Sequence, residues 1–408
     1  MHSIIELEQL YGARNYAPLP VILTRGEGVY LWDLDGKRYI DMMSAYSAVS
    51  HGHCHPKIVK ALNDQAKTLT MVSRAFHTDK LAKFLQRVCE VSGQEKALPM
   101  NSGAEAVETA LKAVRKWAYN VKKVPPELAE IIVCEGNFHG RTIAIVGMST
   151  EEQYRAGFGP FPAGFKQIPF GDADALERAI TPNTAAFLVE PVQGENGIIV
   201  PPPGYLKKCA DICRKHNVLL ICDEIQTGMG RTGRFLASEH DGIKPDGVIL
   251  GKALGGGMLP VSVFLTRQDV MNVLTPGDHG STFGGNPLAA AIGIAAIDVL
   301  LEEHLTENSA KLGEYLIQQL KKIKSPLIDE VRGKGLLVGL SINPRYYSAR
   351  DLCLRLMKKG VLSKETHKTV IRLAPPLVIT QEQLDTVITA IVEVLSEAEA
   401  DLETLTRN

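Results

Sequence analysis

Val218-Leu219-Leu220-Ile221-Cys222-Asp223-Glu224 is an apolar run that ends in two acids, and a second run, Gly247-Val248-Ile249-Leu250-Gly251-Lys252, ends in a lysine followed by Ala253-Leu254-Gly255-Gly256-Gly257. Short apolar runs bounded by polar and glycine-rich segments read as strands buried on both faces. Open α/β sheets bind ligands outside the carboxyl ends of such strands. Asp223 and Lys252 both stand at carboxyl ends, separated by the length of one strand–connection–strand step. That reading sets the two groups over neighbouring strands, on opposite sides of whatever binds there.

The alternation continues outward. Ile131–Cys134, Ala186–Glu190 and Val261–Leu265 read as further strands, with amphipathic helices at Ala104–Trp117 and Tyr205–Lys215 between them. The pattern is that of an α/β fold with a mostly parallel sheet. Beyond Pro287 two helical patterns run to about Glu303 and from about Asn308 to Lys322. The pattern then changes: strand Leu336–Ile342, helix Ala349–Lys359, strand Thr369–Leu373 and closing helix Gln381–Glu397. A hairpin is expected around Asp33–Lys37. The expected division is an N-terminal segment, 1–49, packing with a smaller α+β domain; a large domain, 50–290; and a linking helix with the small domain, 291–408.

Composition bounds the partners. The 408 residues are 45% hydrophobic and 22% charged with a formal net charge of −1, so there is no electrostatic footprint for nucleic acid or an anionic membrane. No apolar run approaches the roughly 18 residues that span a bilayer. The opening MHSIIELEQLYGARNY lacks the pattern of a targeting peptide. Seven scattered cysteines do not form a disulfide framework, and a reducing cytoplasm is the expected home.

The chemistry starts from Asp223. A buried carboxylate is costly without a cation or strong donors, and a pyridinium nitrogen, as in pyridoxal phosphate, is such a partner. The bland alternative is a strand-end or helix-capping acid. Lys252 argues against it, because a lysine in a glycine-rich bend after an apolar strand is oddly placed for a solvated charge. Partly desolvated beside a cationic ring, it becomes a Schiff-base former. Asn101-Ser102-Gly103-Ala104 opens a strong helix, and free amides there make an anion seat, with Ser102, Gly103 and Ala104 as contributors. Gly280-Ser281-Thr282-Phe283-Gly284-Gly285 is a second glycine-rich turn, where Thr282 could add a hydroxyl to the same phosphate. Phe138-His139-Gly140-Arg141 offers an aromatic to stack on a ring and an arginine to fork a carboxylate; for Phe138-His139 the bland reading is core packing.

Two motifs point elsewhere. Gly228-Met229-Gly230-Arg231-Thr232-Gly233 matches the dinucleotide fingerprint, but Asp223 to Gln226 separate it from its strand and no acid ends the next one. His51, His53 and His55, and the helical trio Cys209, Cys213 and His216, resemble metal ligands but lack a fourth ligand at zinc-site spacing. No metal is expected.

With these pieces assembled, the chain resembles the class-III (fold type I) aminotransferases from about Tyr11 to Leu395. The specific stretches are NYAPLPVILTRGEGVYLWDLDG (15–36), SAYSAVSHGHCHP (44–56), NSGAEAVETALK (101–112), EGNFHGRT (135–142), VEPVQGENGI (189–198), ICDEIQTGMGRTG (221–233), GKALGGG (251–257) and HGSTFGGNPL (279–288). The NY and SAYSAV pieces point to the ornithine branch. The resemblance implies a pyridoxal-phosphate enzyme of amino-acid metabolism, a homodimer acting on small amino and 2-oxo acids. Lys252 would carry the cofactor and shuttle protons, Asp223 pair with the ring nitrogen, Gln226 bond the ring hydroxyl and Phe138 stack on the ring. Ser102, Gly103 and Ala104 would hold the phosphate, with Thr282 reaching it from the other subunit. Tyr16 and Arg141 would hold the α-carboxylate of ornithine, Tyr46 shape the pocket, and Arg372 with Glu195 handle 2-oxoglutarate. Met229-Gly230 is one small departure, where a bulkier pair is expected.

Overall fold

The structure, a computed structural model, describes residues 3–407. Its centre is a seven-stranded sheet in the order Lys96–Met100, Ser262–Thr266, Gly247–Leu250, Leu219–Asp223, Thr184–Val189, Glu130–Cys134, Phe165–Ile168. The five strands from Gly247–Leu250 to Phe165–Ile168 run parallel; Ser262–Thr266 is antiparallel to both its neighbours. Thr184–Val189, Leu219–Asp223, Gly247–Leu250 and Ser262–Thr266 are buried along their whole length, which is why they read as continuous apolar runs.

Alternation within each strand feeds two layers. Ile131, Val133, Leu219 and Ile221 pack with the apolar stripe of the Gly103–Trp117 helix. Ile132, Cys134, Leu220 and Cys222 pack on the other side with Leu206, Cys209 and Cys213 of the Tyr205–Lys215 helix. The Gly103–Trp117 helix is well specified at its start: Ser102 caps it, and Glu105 reaches back to the Ser102 amide, a reciprocal capping box.

Two four-stranded sheets complete the described fold. Ile328–Lys334, Leu337–Ile342, Val370–Leu373 and Lys364–Thr366 form an antiparallel sheet under the Leu305–Lys322 and Ala349–Lys358 helices, against which the Gln381–Arg407 helix packs. Leu23–Glu27, Tyr30–Asp33 and Arg38–Asp41 form the expected N-terminal hairpin with one added strand, and Val361–Leu362 joins it in parallel beside Arg38–Asp41. Among the described residues no helix is long and apolar enough to cross a membrane.

The boundary of these layers is tight at Gly313, in the Leu305–Lys322 helix. A Cβ there would lie 2.0 Å from the backbone carbon of Gly335, itself in a left-handed turn with φ 55°. Alanine is the better helix former by about 1 kcal/mol, but overpacking against backbone costs about 1–3 kcal/mol and no side chain can rotate away to relieve it. Gly313→Ala is therefore expected to lower the thermal midpoint. A raised midpoint in calorimetry contradicts this packing.

Candidate active site

Parallel pairing sets Asp223 opposite Ile249, so the carboxylate ends its strand two residues short of the Gly251-Lys252 bend on the next. Asp223 is 4% exposed. Its Oδ2 lies 2.6 Å from His139 Nδ1, and its Oδ1 accepts the Ile225 amide at 3.1 Å. Burial opposes a charge on His139, but the Asp223 carboxylate outweighs it and raises the imidazole above its ordinary range. Lys252 follows directly with φ 45°, a left-handed conformation rare for a side-chain-bearing residue. Burial lowers its amine below the ordinary lysine value, while Glu195, Asp223 and Glu190 pull the other way.

These residues line one cavity of about 180 Å³, together with Gly103, Ala104, Phe138, Gly140, Glu190 and Gln226. Gly103 and Ala104 are the first two residues of their helix, whose amides have no partner within it. A Cβ on Gly103 would meet Ile225 Cδ1 at 2.9 Å, so glycine is what lets the helix end approach. Ser102 is committed to the helix itself: its hydroxyl caps Glu105 and it does not line the cavity. Phe138 packs edge-on against Tyr154, with ring centroids 5.9 Å apart. Gln226 donates to Glu195 Oε1 at 3.3 Å and leaves its own buried Oε1 without a partner among the described residues.

Beside this cavity Arg372 and Glu195 form a two-pronged pair at 2.8 and 3.0 Å. Burial works against the Glu195 charge, but the Arg372 guanidinium overrides it and holds the carboxyl at about 2. The Arg372 guanidinium also lies 5.2 Å from the Tyr46 ring centre. Tyr16 and Arg141 meet around a second cavity of about 310 Å³ with Tyr154 and Phe158. Arg141 sits 3.8 Å over the Tyr154 ring and has no carboxylate partner among the described residues. Thr282 stands apart, exposed in its turn and outside both cavities. Its neighbour Ser281 accepts the Asn101 side-chain amide at 2.8 Å, which sets the turn against the start of the Gly103–Trp117 helix.

The other motifs resolve separately. His51 meets the Ala296 carbonyl, His53 meets Asp41 and His55 meets Glu303, so the three histidines face different partners. Cys209 and Cys213 belong to the helix–sheet core. The Gly228–Gly233 turn does not open a helix; it lies between the Leu219–Asp223 strand and the short Ala237–Asp241 turn of 3₁₀ helix.

Two residues of the cavity carried no role in the sequence. For the Phe138-His139 pair the bland reading is core packing, and the structure instead seats His139 on Asp223. Glu190 is buried at the end of the Thr184–Val189 strand, where its Oε2 accepts the Phe138 amide at 3.0 Å. An acid at the end of a buried strand was the signal, the same one that singles out Asp223.

The donor set fits pyridoxal phosphate. An amine, a carboxylate backed by an imidazole, an aromatic face, a partnerless amide oxygen and open helix amides surround a single cavity. The family model for class-III aminotransferases matches residues 11–395. The chain belongs to that family, a class of pyridoxal-phosphate-dependent transaminases with the fold type I architecture. It is 55% identical to an ornithine aminotransferase of an Exiguobacterium species, covering 97% of this chain and 98% of that one. An ornithine aminotransferase of Toxoplasma gondii, solved with partial occupancy of PLP at its active site, superposes with TM-score 0.96 at 45% identity, covering 97% of this chain and 94% of that one. An acetylornithine aminotransferase of Elizabethkingia anophelis superposes with TM-score 0.87 at 49% identity, covering 96% and 98%.

Glu190 makes the electrostatics testable. Burial pushes its carboxyl up from 4.5 to about 7, with His139 opposing and Asp223 adding to the rise. Below about pH 4.5 the acid is protonated in folded and unfolded chain alike. As pH rises to 7 the unfolded chain ionises first, so this residue's contribution to stability is lost across that window. Glu190→Gln cannot ionise. Its stability relative to the parent, in cofactor-free protein, should therefore rise on the order of 3 kcal/mol between pH 4.5 and 7.5. A difference that stays constant with pH, read by denaturant titration, contradicts the shift.

Proposed function

We propose that this chain is an ornithine δ-aminotransferase, converting L-ornithine and 2-oxoglutarate to glutamate-5-semialdehyde and glutamate. One observation carries the substrate assignment: of the two arginines at the site, Arg372 is neutralised by Glu195 while Arg141 has no carboxylate partner among the described residues. An ornithine α-carboxylate then finds its fork at Arg141 and the Tyr16 hydroxyl. That remote grip turns the δ-amine, not the α-amine, toward Lys252.

Bound pyridoxal phosphate supplies a carbonyl that takes the amine and a ring that withdraws electrons from the carbon losing its proton. Lys252 holds the cofactor through its amine and moves the proton on and off the reacting carbon; its lowered affinity for protons suits both tasks. Asp223, backed by His139, keeps the proton on the ring nitrogen. Gln226 meets the ring hydroxyl, Phe138 covers the ring face, and the Ser102–Ala104 corner seats the phosphate, chiefly through the amides of Gly103 and Ala104. Tyr46 closes the pocket beside Arg372, where burial and the Glu195 charge keep its hydroxyl protonated.

Thr282 is read as serving the phosphate of a second subunit in a homodimer. Support comes from its exposure here and from the neighbouring Phe283, 58% exposed on the same turn. The chain is further read as an N-terminal segment (1–49), a large domain (50–290) and a small domain (291–408), working in a reducing cytoplasm. The seven cysteines are free, five of them buried, in keeping with that setting.

A panel of amino donors on the purified protein tests the assignment. L-ornithine is expected to give the semialdehyde with the highest kcat/KM; N-acetylornithine or 4-aminobutyrate outranking it contradicts the assignment and favours another ω-aminotransferase. The Glu195–Arg372 pair must open for the second half-reaction, because the α-carboxylate of 2-oxoglutarate needs a cation near the reacting carbon. Breaking a desolvated pair costs several kcal/mol. Glu195→Ala should thus retain cofactor, speed the glutamate half-reaction roughly tenfold or more, and let ornithine react partly at its α-amine. Unchanged glutamate rates with only δ-transfer in single-turnover spectra would leave the pair a fixed structural bridge.

A further inference from the structure

Arg231, inside the glycine-rich turn that mimics a dinucleotide fingerprint, is 0% exposed and lies outside the cofactor cavity. Its guanidinium makes four hydrogen bonds, none to a carboxylate. Nη1 donates to the Leu336 carbonyl at 3.1 Å and the Pro375 carbonyl at 2.5 Å; Nη2 donates to Ser44 Oγ at 3.1 Å and Ser50 Oγ at 2.8 Å. Burial works against this charge and lowers the guanidinium below its ordinary range, with the field of Asp41 offsetting only part of that cost. Asp41 also accepts the Met43 and Ser44 amides at 2.8 and 2.9 Å.

The two serines bracket an unusual segment. Ser44, Ala45, Tyr46 and Ser47 have φ values of 40°, 46°, 59° and 73°, a left-handed turn with no glycine in it. Each such residue is strained by contact between its Cβ and the following carbonyl, and a run of them persists only where the surroundings over-determine it. Ser44 Oγ donates to the Ala374 carbonyl at 2.6 Å and Ser50 Oγ to the Ser47 carbonyl at 3.0 Å. Arg231 holds both hydroxyls at once. Its other prong holds Pro375, three residues past Arg372 on the chain that leaves the Val370–Leu373 strand.

We infer that Arg231 is a positioning residue for donor choice: one planar fork fixes the strained turn that presents Tyr46 and the strand end that presents Arg372. This rests on the proposed role of Arg372 toward the 2-oxo acid, and on Tyr46, which closes the pocket beside it, also meeting the far end of the amino donor with its α-ammonium. The geometry requires arginine, since a lysine ammonium has three donors on a point charge and cannot span four acceptors on two sides. Some anchorage exists without it, because the Ala374 amide donates to Met42 O and the Leu377 amide to Ser50 O, both at 2.7 Å. Loss of the fork should therefore loosen the turn rather than unfold the chain.

The test uses the cofactor-loaded, full-length protein and three variants: Ser44→Ala/Ser50→Ala, which removes two acceptors and keeps the guanidinium; Arg231→Lys; and Tyr46→Ile as a control. The serine double variant should keep its cofactor content while peptides covering 42–50 exchange amide hydrogen on the order of tenfold faster. Its KM for L-ornithine should rise about tenfold with kcat changed little, and 4-aminobutyrate, which has no α-ammonium to place, should change about twofold or less. Arg231→Lys should shift the same ratio in the same direction; if it does not accumulate, the serine variant decides alone. Equal loss for both donors, or unchanged exchange and unchanged ratio, would overturn the inference and leave Arg231 a packing residue. Tyr46→Ile separates the two levels. If it leaves the donor ratio untouched, the role of Tyr46 fails and this inference with it. If it shifts the ratio while the serine variant does not, only the role of Arg231 fails.

Discussion

The parallel pairing of Leu219–Asp223 with Gly247–Leu250 is the constraint on which the site depends. Asp223 sits level with Ile249, and the chain beyond Leu250 turns at once through Gly251 to put Lys252 beside it. A shift of one residue in that register would turn Asp223 to the opposite face of the sheet. Such a shift would also bring Cys222 and Leu220 out of the packed layer against the Tyr205–Lys215 helix. Register is thus held by apolar burial on both faces, and chemistry is placed by packing that has no chemical role of its own.

Around that pair the molecule concentrates charge that it could not keep buried singly. Glu190, Glu195 and Asp223 face Lys252, His139 and Arg372, and the partnerships are unequal. Arg372 commits Glu195 to the ionised form; Glu190, without a cation in hydrogen-bonding contact, is pushed toward its protonated form. Environments that drive neighbouring titratable groups apart are characteristic of sites that move protons. The second arginine, Arg141, lines the neighbouring cavity, lies over the Tyr154 ring and has no carboxylate partner among the described residues. Of the two guanidiniums, one is thus occupied by a carboxylate and the other is not, among the described residues.

Much of this was legible in the chain because buried strands and capped helices leave local patterns. The Tyr205–Lys215 helix and the Gly247–Leu250 strand match the sequence reading residue for residue. What escaped has physical reasons. Lys96–Met100, a strand interrupted by Pro99, lies at the sheet edge and shows no apolar alternation, and Phe165–Ile168 at the other edge is short and half polar. The final helix runs past the expected Glu397 to Arg407 because its last turns continue without a breaker. The left-handed Ser44–Ser47 turn carries no glycine to announce it, and its local hydrogen bonds are joined by long-range ones with Ala374 and Arg231 that no local pattern shows. His139 and Arg231 likewise take their meaning from partners far along the chain, whereas Glu190 ends a buried strand as Asp223 does. Asp223 and Lys252, which line the central cavity, announced themselves by type and position; His139 and Arg231, which hold their neighbours in place, did not.

The central claim is that Lys252, and no other lysine, carries the cofactor. The direct measurement is borohydride reduction of the pyridoxal-phosphate-loaded protein, followed by proteolysis and mass mapping of the modified peptide. The account predicts one stoichiometric pyridoxyl adduct, on Lys252, that is absent from Lys252→Ala. An adduct at another lysine, or a full adduct in Lys252→Ala, would contradict it.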